Sequence, residues 1–214
     1  MFITFEGLDF CGKSTQVTLL EGYLERKNKP VKIIREPGGT KISEKVRDIL
    51  LDKKNHEMFI ETEILLFSSA RAQLVREVIR PALDGGFYVI SDRFHDSTIA
   101  YQGFGREISI DFVNTINDFA IGDTVPDITF FIDIPVEEAE KRKNTRNRGE
   151  LDRIEVSRNS FYQKVREGYQ YLAEKEKRVK VINGLLSIEE INDIIIKEIE
   201  KSEKLKGAEY INDK

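Results

Sequence analysis

A glycine-bounded segment near the start of the chain constrains its fold more than any other feature. The segment reads Gly7-Leu8-Asp9-Phe10-Cys11-Gly12-Lys13-Ser14, and Thr15 follows it. It matches the pattern G-x-x-x-x-G-K-S, which forms a phosphate-binding loop when it joins a buried strand to a helix. Here an apolar run at 2–5 precedes the segment and a helical pattern over 13–27 follows it. The sequence therefore predicts a loop that binds a nucleotide through its phosphates.

The residue types in this loop suit a nucleoside triphosphate. Glycines let successive backbone N–H groups point at phosphate oxygens, and the N-terminus of the following helix adds about half a positive charge. We expect Lys13 to reach the β- and γ-phosphates and the Ser14 hydroxyl to hold Mg²⁺, with residues 7–15 forming the ATP site. A strand–turn–helix with accidental glycines is the alternative, and the flanking elements argue against it.

Short apolar runs alternate with longer helical patterns along the rest of the chain. The predicted strands are 2–5, 31–34, 87–90, 128–134 and 179–182, and the predicted helices are 13–27, 57–83, 110–121, 136–143, 153–175 and 188–203. Such alternation is typical of βαβ units with a parallel sheet. We expect an α/β P-loop NTPase three-layer sandwich with a five-stranded parallel sheet, in a single domain over 1–203. The polar tail, 204–214, has the composition of a disordered terminus.

Composition narrows the possible partners. With one Cys and two His, the chain lacks the ligands for a Cys/His zinc site, and its formal net charge of −4 argues against a general nucleic-acid binder. The N-terminus has no basic region, and no apolar run reaches the roughly 18 residues of a membrane span. We therefore expect a soluble cytoplasmic protein without nucleic-acid or membrane partners.

An acidic and a basic residue follow the third predicted strand, in Ser91-Asp92-Arg93-Phe94. In parallel α/β sheets, ligands bind beyond the carboxyl ends of the strands. Asp92 is placed to help hold Mg²⁺, directly or through water. Arg93 is placed to bind anionic oxygens through two parallel hydrogen bonds from its planar guanidinium. A surface pair that caps a loop is the alternative, and Asp133, at the end of the fourth strand, competes for the metal role.

Two further sets of residues are candidates for substrate contacts. Phe67 and Arg71 share a helix face at spacing i, i+4, so that the ring could stack on a flat polar base while the guanidinium donates hydrogen bonds to it. A core Phe and a solvated Arg are the alternative. Arg146 and Arg148 lie in a loop that could close over a migrating phosphoryl group, or form only a solvated basic turn.

Four segments together resemble the thymidylate kinase family, and the resemblance extends to about residue 200. Residues 92–103 read DRFHDSTIAYQG and are similar to the family signature D-R-[YFH]-x-x-S-x-x-A-Y-Q-G. The other three segments are REPGGT at 35–40, FSSARA at 67–72, which resembles the base-binding helix, and RGELDRIE at 148–155, which resembles the lid of the bacterial branch.

The resemblance implies ATP-dependent phosphorylation of dTMP to dTDP, for dTTP synthesis, with Mg²⁺ as cofactor and a homodimer as the assembly. It implies that Phe67 stacks on thymine and Arg71 binds the edge of the base. For the sugar of the acceptor nucleotide, it implies that Asp9 contacts the 3′-hydroxyl and that Tyr101 lies against the 2′ position. It implies that Arg93 binds the acceptor phosphate, with Pro37 and Arg47 beside it. Ser97 and Gln102 are implied to line the thymine pocket. The catalytic residues it implies are Lys13, Arg93 and Arg148.

The chain departs from the family pattern inside the loop. Phe10 and Cys11 stand where small residues are usual, and the eukaryotic branch commonly has a catalytic Arg at position 10. Phe10 cannot supply that charge, so we expect it from the lid, at about 142–153. The roles of Arg142 and Arg146, and a cis bond before Pro37, stay open.

Two other functions stay open at the level of sequence. The first is a kinase for another monophosphate, such as dUMP. The second is a nucleotide-gated switch or assembly protein, against which two observations count. Asn28-Lys29 begins the guanine-binding pattern N-K-x-D but lacks its Asp. A switch also needs no second phosphate site of the kind that Arg93 predicts.

Overall fold

A single parallel sheet organises the chain. The computed structural model describes residues 1–145, 152–155 and 158–212, with side chains up to residue 205. The strands are β1 (Phe2–Glu6), β2 (Val31–Arg35), β3 (Tyr88–Asp92), β4 (Ile128–Asp133) and β5 (Val179–Asn183). They pair in the order β2-β3-β1-β4-β5, and every pairing is parallel. The predicted five-stranded parallel sheet is therefore confirmed.

Helices connect the strands and cover both faces of the sheet. In chain order they are α1 (Lys13–Arg26), α2 (Lys41–Leu51), α3 (Ile60–Leu74), α4 (Arg80–Asp84), α5 (His95–Thr98), α6 (Ile110–Ile121), α7 (Val136–Thr145), α8 (Asn159–Lys175) and α9 (Ile188–Asn212). Two π-helical segments, Val75–Ile79 and Ile99–Gly105, continue α3 and α5. The predicted three-layer α/β architecture is confirmed.

The two faces of the sheet carry separate apolar cores because side chains alternate along each strand. On one face, Ile3 and Phe5 of β1 pack in a cluster with Leu20 of α1 and Ile195 of α9. The opposite face is covered by α3, α6 and α8, whose buried residues include Ile64, Val113 and Val165. Two polar residues of β1, Thr4 and Glu6, alternate with the first pair and are fully buried.

The register of the strands brings three chain segments to one edge of the sheet. Phe5 of β1 and Arg35 of β2 both pair with Asp92 at the end of β3. The phosphate loop, the turn after β2 and the segment that begins at Arg93 therefore leave the sheet side by side. This edge is where parallel α/β sheets bind ligands.

Several helix boundaries differ from the predictions. Helix α2 was not expected, although Thr40 caps it by accepting a hydrogen bond from the Ser43 amide at 3.0 Å. The predicted helix 57–83 begins only at Ile60, whose side chain is exposed. Helix α8 begins at Asn159, not at Arg153, and α9 continues to Asn212 into the tail that sequence composition marks as polar.

No helix in the described part of the chain is both long enough and apolar enough to cross a membrane.

Candidate active site

The phosphate loop joins β1 to α1 in a conformation that requires glycine at two positions. Gly7 has φ 136°, and a Cβ there would lie 2.5 Å from the carbonyl oxygen of Ile132. Gly12 caps α1 in the left-handed region, with φ 108°. A side chain at position 7 would collide with the backbone, and one at position 12 would be strained. Phe10 also has a positive φ, of 66°, so this loop holds a non-glycine residue in the left-handed region.

Lys13 is held against the inside of its own loop. Its Nζ donates hydrogen bonds to the carbonyl oxygens of Gly7 at 3.1 Å and Leu8 at 2.8 Å. The residue is buried, as is Cys11, whose sulfur lies 3.7 Å from the same Nζ. The ammonium group is therefore positioned at the loop, where the backbone N–H groups of a phosphate cradle converge.

A hydroxyl and a carboxylate meet beside the loop. Ser14 Oγ donates a hydrogen bond to Asp92 Oδ2 at 2.9 Å. Asp133, the competing carboxylate, instead accepts hydrogen bonds from Arg166 Nε at 2.6 Å and NH2 at 2.9 Å. Within 1–145, 152–155 and 158–205, no three His, Cys, Asp or Glu side chains cluster as a metal site. Asp92 is thus the carboxylate that pairs with the loop hydroxyl.

Among the site residues that the structure describes, Arg93 donates the most side-chain hydrogen bonds. Its backbone is in the left-handed region, with φ 72°, which is uncommon for a non-glycine residue. Its guanidinium donates to Gly7 O at 3.0 Å, Ser97 Oγ at 3.2 Å, Tyr169 OH at 3.0 Å, Asp9 Oδ1 at 2.6 Å and Tyr101 OH at 3.1 Å. These contacts fix the cation between the phosphate loop and α5. Although burial opposes charge, the pKa of Asp9 is lowered by Arg93 and Lys13.

Glu6 is buried beneath this cation and has no exposed surface. Its carboxylate accepts hydrogen bonds from Phe94 N at 2.7 Å, Ser97 Oγ at 2.6 Å and Tyr169 OH at 2.8 Å, and lies 4.0 Å from Arg93. Burial, together with nearby Asp96, raises the pKa of Glu6 to about 7, against the opposing effect of Arg93. The last residue of β1 therefore ties α5 and α8 to the site.

Arg71 is buried and nearly saturated as a donor. Its Nε donates to Glu36 Oε2 at 2.7 Å, and its other nitrogens donate to Thr98 Oγ1 at 2.7 Å, Asn117 Oδ1 at 3.2 Å and Phe94 O at 3.1 Å. A guanidinium has five N–H groups, so one on NH2 stays available beyond these contacts with described residues. Arg71 is therefore not the solvated side chain of the alternative interpretation.

Glu36, the buried partner of Arg71, follows β2 and precedes Pro37 through a cis peptide bond. Burial raises the pKa of Glu36 to about 7, against the attraction of Arg71. Its Oε1 is buried and has no hydrogen-bond partner among the described residues. Arg47 of α2 donates a hydrogen bond from NH1 to the carbonyl oxygen of Pro37, the residue after Glu36, at 2.8 Å.

The phosphate loop, Arg93, Arg71 and Glu36 surround one cavity of about 390 Å³. The predicted site residues that line it are Asp9, Phe10, Gly12, Lys13, Ser14, Thr15, Pro37, Arg47, Phe67, Arg71, Asp92, Arg93, Ser97, Tyr101 and Gln102. Gly7 and Leu8 lie behind it, with their carbonyls on Lys13. The structure thus joins the phosphate loop to the Phe67–Arg71 helix face in one continuous pocket.

A second cavity, of about 290 Å³, adjoins the other side of the loop. It is lined by Cys11 and Thr15 of the loop segment and by Arg142 of α7. Arg142 Nε donates to Glu138 Oε1 at 2.8 Å, and NH2 donates to the carbonyl oxygen of Gly184 at 2.9 Å. Phe10 lines both cavities, so the loop separates them.

Part of the predicted lid lies outside the described residues, including Arg146 and Arg148. The turn that follows, 152–155, is described: Arg153 Nε donates to the carbonyl oxygen of Leu50, and Lys143 Nζ donates to that of Glu155. This turn is therefore anchored to α2 and α7, and Asp152 and Glu155 line the larger cavity.

Comparison with known proteins assigns the family. Residues 5–195 match the family described as Thymidylate kinase, which is most of the chain. The chain belongs to the thymidylate kinase family. It is 49% identical over 199 residues to thymidylate kinase from Kosmotoga olearia, covering 92% of this chain and 94% of that protein. It is 47% identical over 197 residues to the one from Fervidobacterium nodosum, covering 92% and 97%. The crystal structure of thymidylate kinase from Ehrlichia chaffeensis matches with a TM-score of 0.74 and 37% identity, covering 93% of this chain and 98% of that one.

Several residues that surround the site are not predicted by the sequence patterns, among them Glu6, Glu36, Arg153 and Tyr169. Glu6 carries a usable signal, because an acidic residue directly follows the apolar run at 2–5. Glu63, whose contacts are described below, carries another, because it lies next to the buried Ile64 of α3. Arg153 belongs to the segment 148–155 that resembles the lid, and the resemblance assigns it no contact. Tyr169 carried no signal, since it continues the apolar face of α8 with Val165 and Leu172 and reads as core.

Proposed function

We propose that this chain is an ATP-dependent kinase that transfers the γ-phosphoryl group of ATP to dTMP and releases ADP and dTDP. The observation that carries the proposal is one cavity in which the phosphate loop with Lys13 faces a second cation, Arg93, and the helix face of Phe67 and Arg71. A nucleotide hydrolase or switch needs the first feature alone. Two cationic centres that line one space suit a donor phosphate and an acceptor phosphate.

The acceptor nucleotide is assigned to the larger cavity. Phe67 stacks on thymine, and Arg71 donates the N–H left over from its protein contacts to the edge of the base. Arg93 holds the acceptor phosphate, with Arg47 and Pro37 nearby, and Asp9 contacts the 3′-hydroxyl. Tyr101 stands against the 2′ position, and Ser97 and Gln102 line the pocket. Support comes from the cavity itself, which all of these residues line.

The donor is assigned to residues 7–15 and the smaller cavity. The backbone N–H groups of the loop and Lys13 bind the β- and γ-phosphates, while the nucleoside end of ATP enters the space beside Arg142. An oxygen of the dTMP phosphate then attacks the γ-phosphorus, and the bond to the β-phosphate oxygen breaks. The acceptor phosphate is already a competent nucleophile near neutral pH, so alignment and charge neutralisation carry the rate and no general base is needed.

Mg²⁺ belongs to this proposal as the cofactor, with Ser14 and Asp92 as the residues that would hold it. The pairing of a hydroxyl with a carboxylate at 2.9 Å fits a hard cation that takes oxygen ligands. Magnesium in kinases usually keeps water and substrate phosphates as its other ligands, so few protein ligands are required. When bound, Mg²⁺ would neutralise phosphate charge.

The lid and the assembly complete the proposal. Arg148 closes over the transferring group from a lid at about 142–153, as in the bacterial branch, since Phe10 carries no charge.

A homodimer is supported by exposed apolar side chains on the adjacent helices α2, α3 and α6, among them Ile49, Leu65, Phe112 and Phe119. Light scattering tests the dimer: Phe119→Glu should yield a folded monomer. Because ATP and dTMP are cytoplasmic nucleotides, we propose the cytoplasm as the location.

A panel of acceptors tests the function. Purified protein is incubated with ATP and Mg²⁺ and, in turn, with dTMP, dUMP, UMP and AMP, and the diphosphate products are quantified. The proposal predicts dTMP as the best acceptor. A preference for UMP or AMP would end the thymidylate assignment, and ATP hydrolysis without any diphosphate product would favour the switch.

A further inference from the structure

Glu63 is a buried acid of α3 that the proposed chemistry does not use. It precedes Phe67 and Arg71 at intervals of four residues, so the three side chains follow one another along the same face of the helix. Its exposed fraction is 1%. A buried carboxylate is costly unless it is paired, so its partners explain why it is there.

Three side chains from outside α3 converge on this carboxylate. Oε1 accepts hydrogen bonds from Gln102 Nε2 at 2.9 Å and Arg106 Nε at 3.2 Å. Oε2 accepts a hydrogen bond from Arg106 NH2 at 3.3 Å. Oε2 also lies 2.7 Å from Arg153 NH2, and this second contact is an ion pair without hydrogen-bond geometry. Burial alone would raise the pKa of Glu63, but Arg106, Gln102 and Arg153 lower it, so the group stays ionised.

The ionised carboxylate fixes the orientation of the Gln102 amide. An amide has a donor end and an acceptor end, whereas a carboxylate only accepts. With Glu63 as its neighbour, Gln102 must turn its NH₂ group toward α3. Gln102 also lines the larger cavity, so its Oε1 is the end that is left for a ligand there.

We propose that Glu63 is a positioning residue: by holding the Gln102 amide, it makes the acceptor pocket select a base whose facing ring nitrogen carries a hydrogen. This inference rests on the proposed function. Thymine and uracil carry a hydrogen on N3, whereas cytosine has a lone pair there. The fixed Oε1 therefore accepts a hydrogen bond from the first two bases and repels the third. If the amide were free to turn, it would accommodate cytosine by presenting its NH₂ group.

The substitution Glu63→Gln tests this role. The new amide has nearly the same shape, but it can offer either a donor or an acceptor to Gln102, so the orientation of Gln102 is no longer fixed. We expect the ratio of kcat/KM for dTMP to that for dCMP to fall about tenfold, as befits the loss of one hydrogen bond. The kcat/KM for dTMP should fall, mostly through a higher KM, and that for dCMP should stay level or rise, while the KM for ATP stays within about twofold. The matched control is Glu61→Gln, the same change at an exposed position of the same helix.

A double-mutant cycle shows whether Glu63 acts through Gln102. Gln102→Leu alone should lower the dTMP-to-dCMP ratio, and Glu63→Gln in that background should lower it no further. A fall in kcat/KM that is equal for dTMP and dCMP, or an effect that adds to that of Gln102→Leu, would overturn the inference. If the wild-type protein does not phosphorylate dTMP, the proposed function fails. If the wild-type protein is active and Glu63→Gln keeps its ratio, only the inference fails.

If Glu63→Gln does not fold, nuclear magnetic resonance of the wild-type protein can test the orientation of the Gln102 amide instead. With isotope-labelled dTMP bound, the thymine N3–H should show a coupling through the hydrogen bond to the side-chain carbonyl carbon of Gln102, which is assigned by its loss in Gln102→Leu. A saturated complex without that coupling would mean that the Gln102 oxygen does not accept the N3 hydrogen, and would contradict the inference.

Discussion

The guanidinium of Arg93 lies 2.6 Å from the carboxylate of Asp9, so that the residue after β3 is tied directly to the phosphate loop. The two side chains come from different segments, and both face the cavity that the acceptor is proposed to fill. Lys13 and Arg93 both donate hydrogen bonds to the carbonyl oxygen of Gly7, so the same loop residue holds both cations.

Replacing Arg93 by Met should remove the cation that holds the acceptor phosphate. By comparison with arginines that stabilise phosphoryl transfer, we expect kcat/KM for dTMP to fall on the order of 10³-fold. Steady-state kinetics measure the loss, with circular dichroism as the check on folding. A folded Arg93→Met protein that keeps a tenth or more of wild-type activity would move the phosphate contact elsewhere.

Removing the ring of Phe67 should weaken the acceptor and spare the donor. Stacking of a base on an aromatic side chain contributes about 1–3 kcal/mol, so Phe67→Ala is expected to raise the Kd of dTMP about 5- to 150-fold. Calorimetric titration with dTMP and with ATP provides both constants. Equal weakening of the two nucleotides would argue against stacking, and Phe67→Tyr, which keeps the ring, serves as the control.

The stability of the protein should depend on pH through Glu36. Its pKa is about 7 in the folded chain against an ordinary 4.5, because the carboxyl is buried. Between these values the folded state holds a proton that the unfolded state has released, so the contribution of Glu36 is complete below pH 4.5 and is lost as pH rises through 7. Relative to Glu36→Gln, the wild-type free energy of unfolding should fall by up to about 3 kcal/mol over this range. Urea titrations of both proteins measure it, and parallel pH profiles would contradict it.

The lid arginine should affect turnover more than binding. Arg148→Ala is expected to lower kcat on the order of 10³-fold while the Kd of dTMP stays within about threefold, because its charge is needed when the phosphoryl group migrates. Arg146→Ala is the neighbouring comparison. Unchanged turnover in Arg148→Ala together with a loss in Arg146→Ala would transfer the role.

The sequence was most informative where the backbone itself is the functional element. The loop at 7–14 and the residues after β3 were predictable because glycine spacing and strand ends follow local rules. Helix α2 was missed although the sequence carries two signals for it, the capping residue Thr40 and apolar residues with helical spacing at positions 42, 46, 49 and 50.

Contacts between distant segments were beyond sequence patterns. Glu6 and Tyr169 are 163 positions apart in the chain, and only the packing of α8 against the sheet brings them together. The same holds for Glu63, whose partners come from the π-helical segment after α5 and from the turn at 152–155. The burial of Arg71, which excludes the solvated alternative, depends on Glu36 from a separate element, and no local pattern around Arg71 indicates it.

A crystal structure with dTMP and a non-hydrolysable ATP analogue tests the central claim most directly. We predict both nucleotides in the same molecule, with the analogue's phosphates on residues 7–15 and Lys13, the thymine against Phe67, and the Arg93 guanidinium on the dTMP phosphate. A single occupied pocket, with Arg93 directed to solvent and dTMP absent from the cavity, would contradict the account.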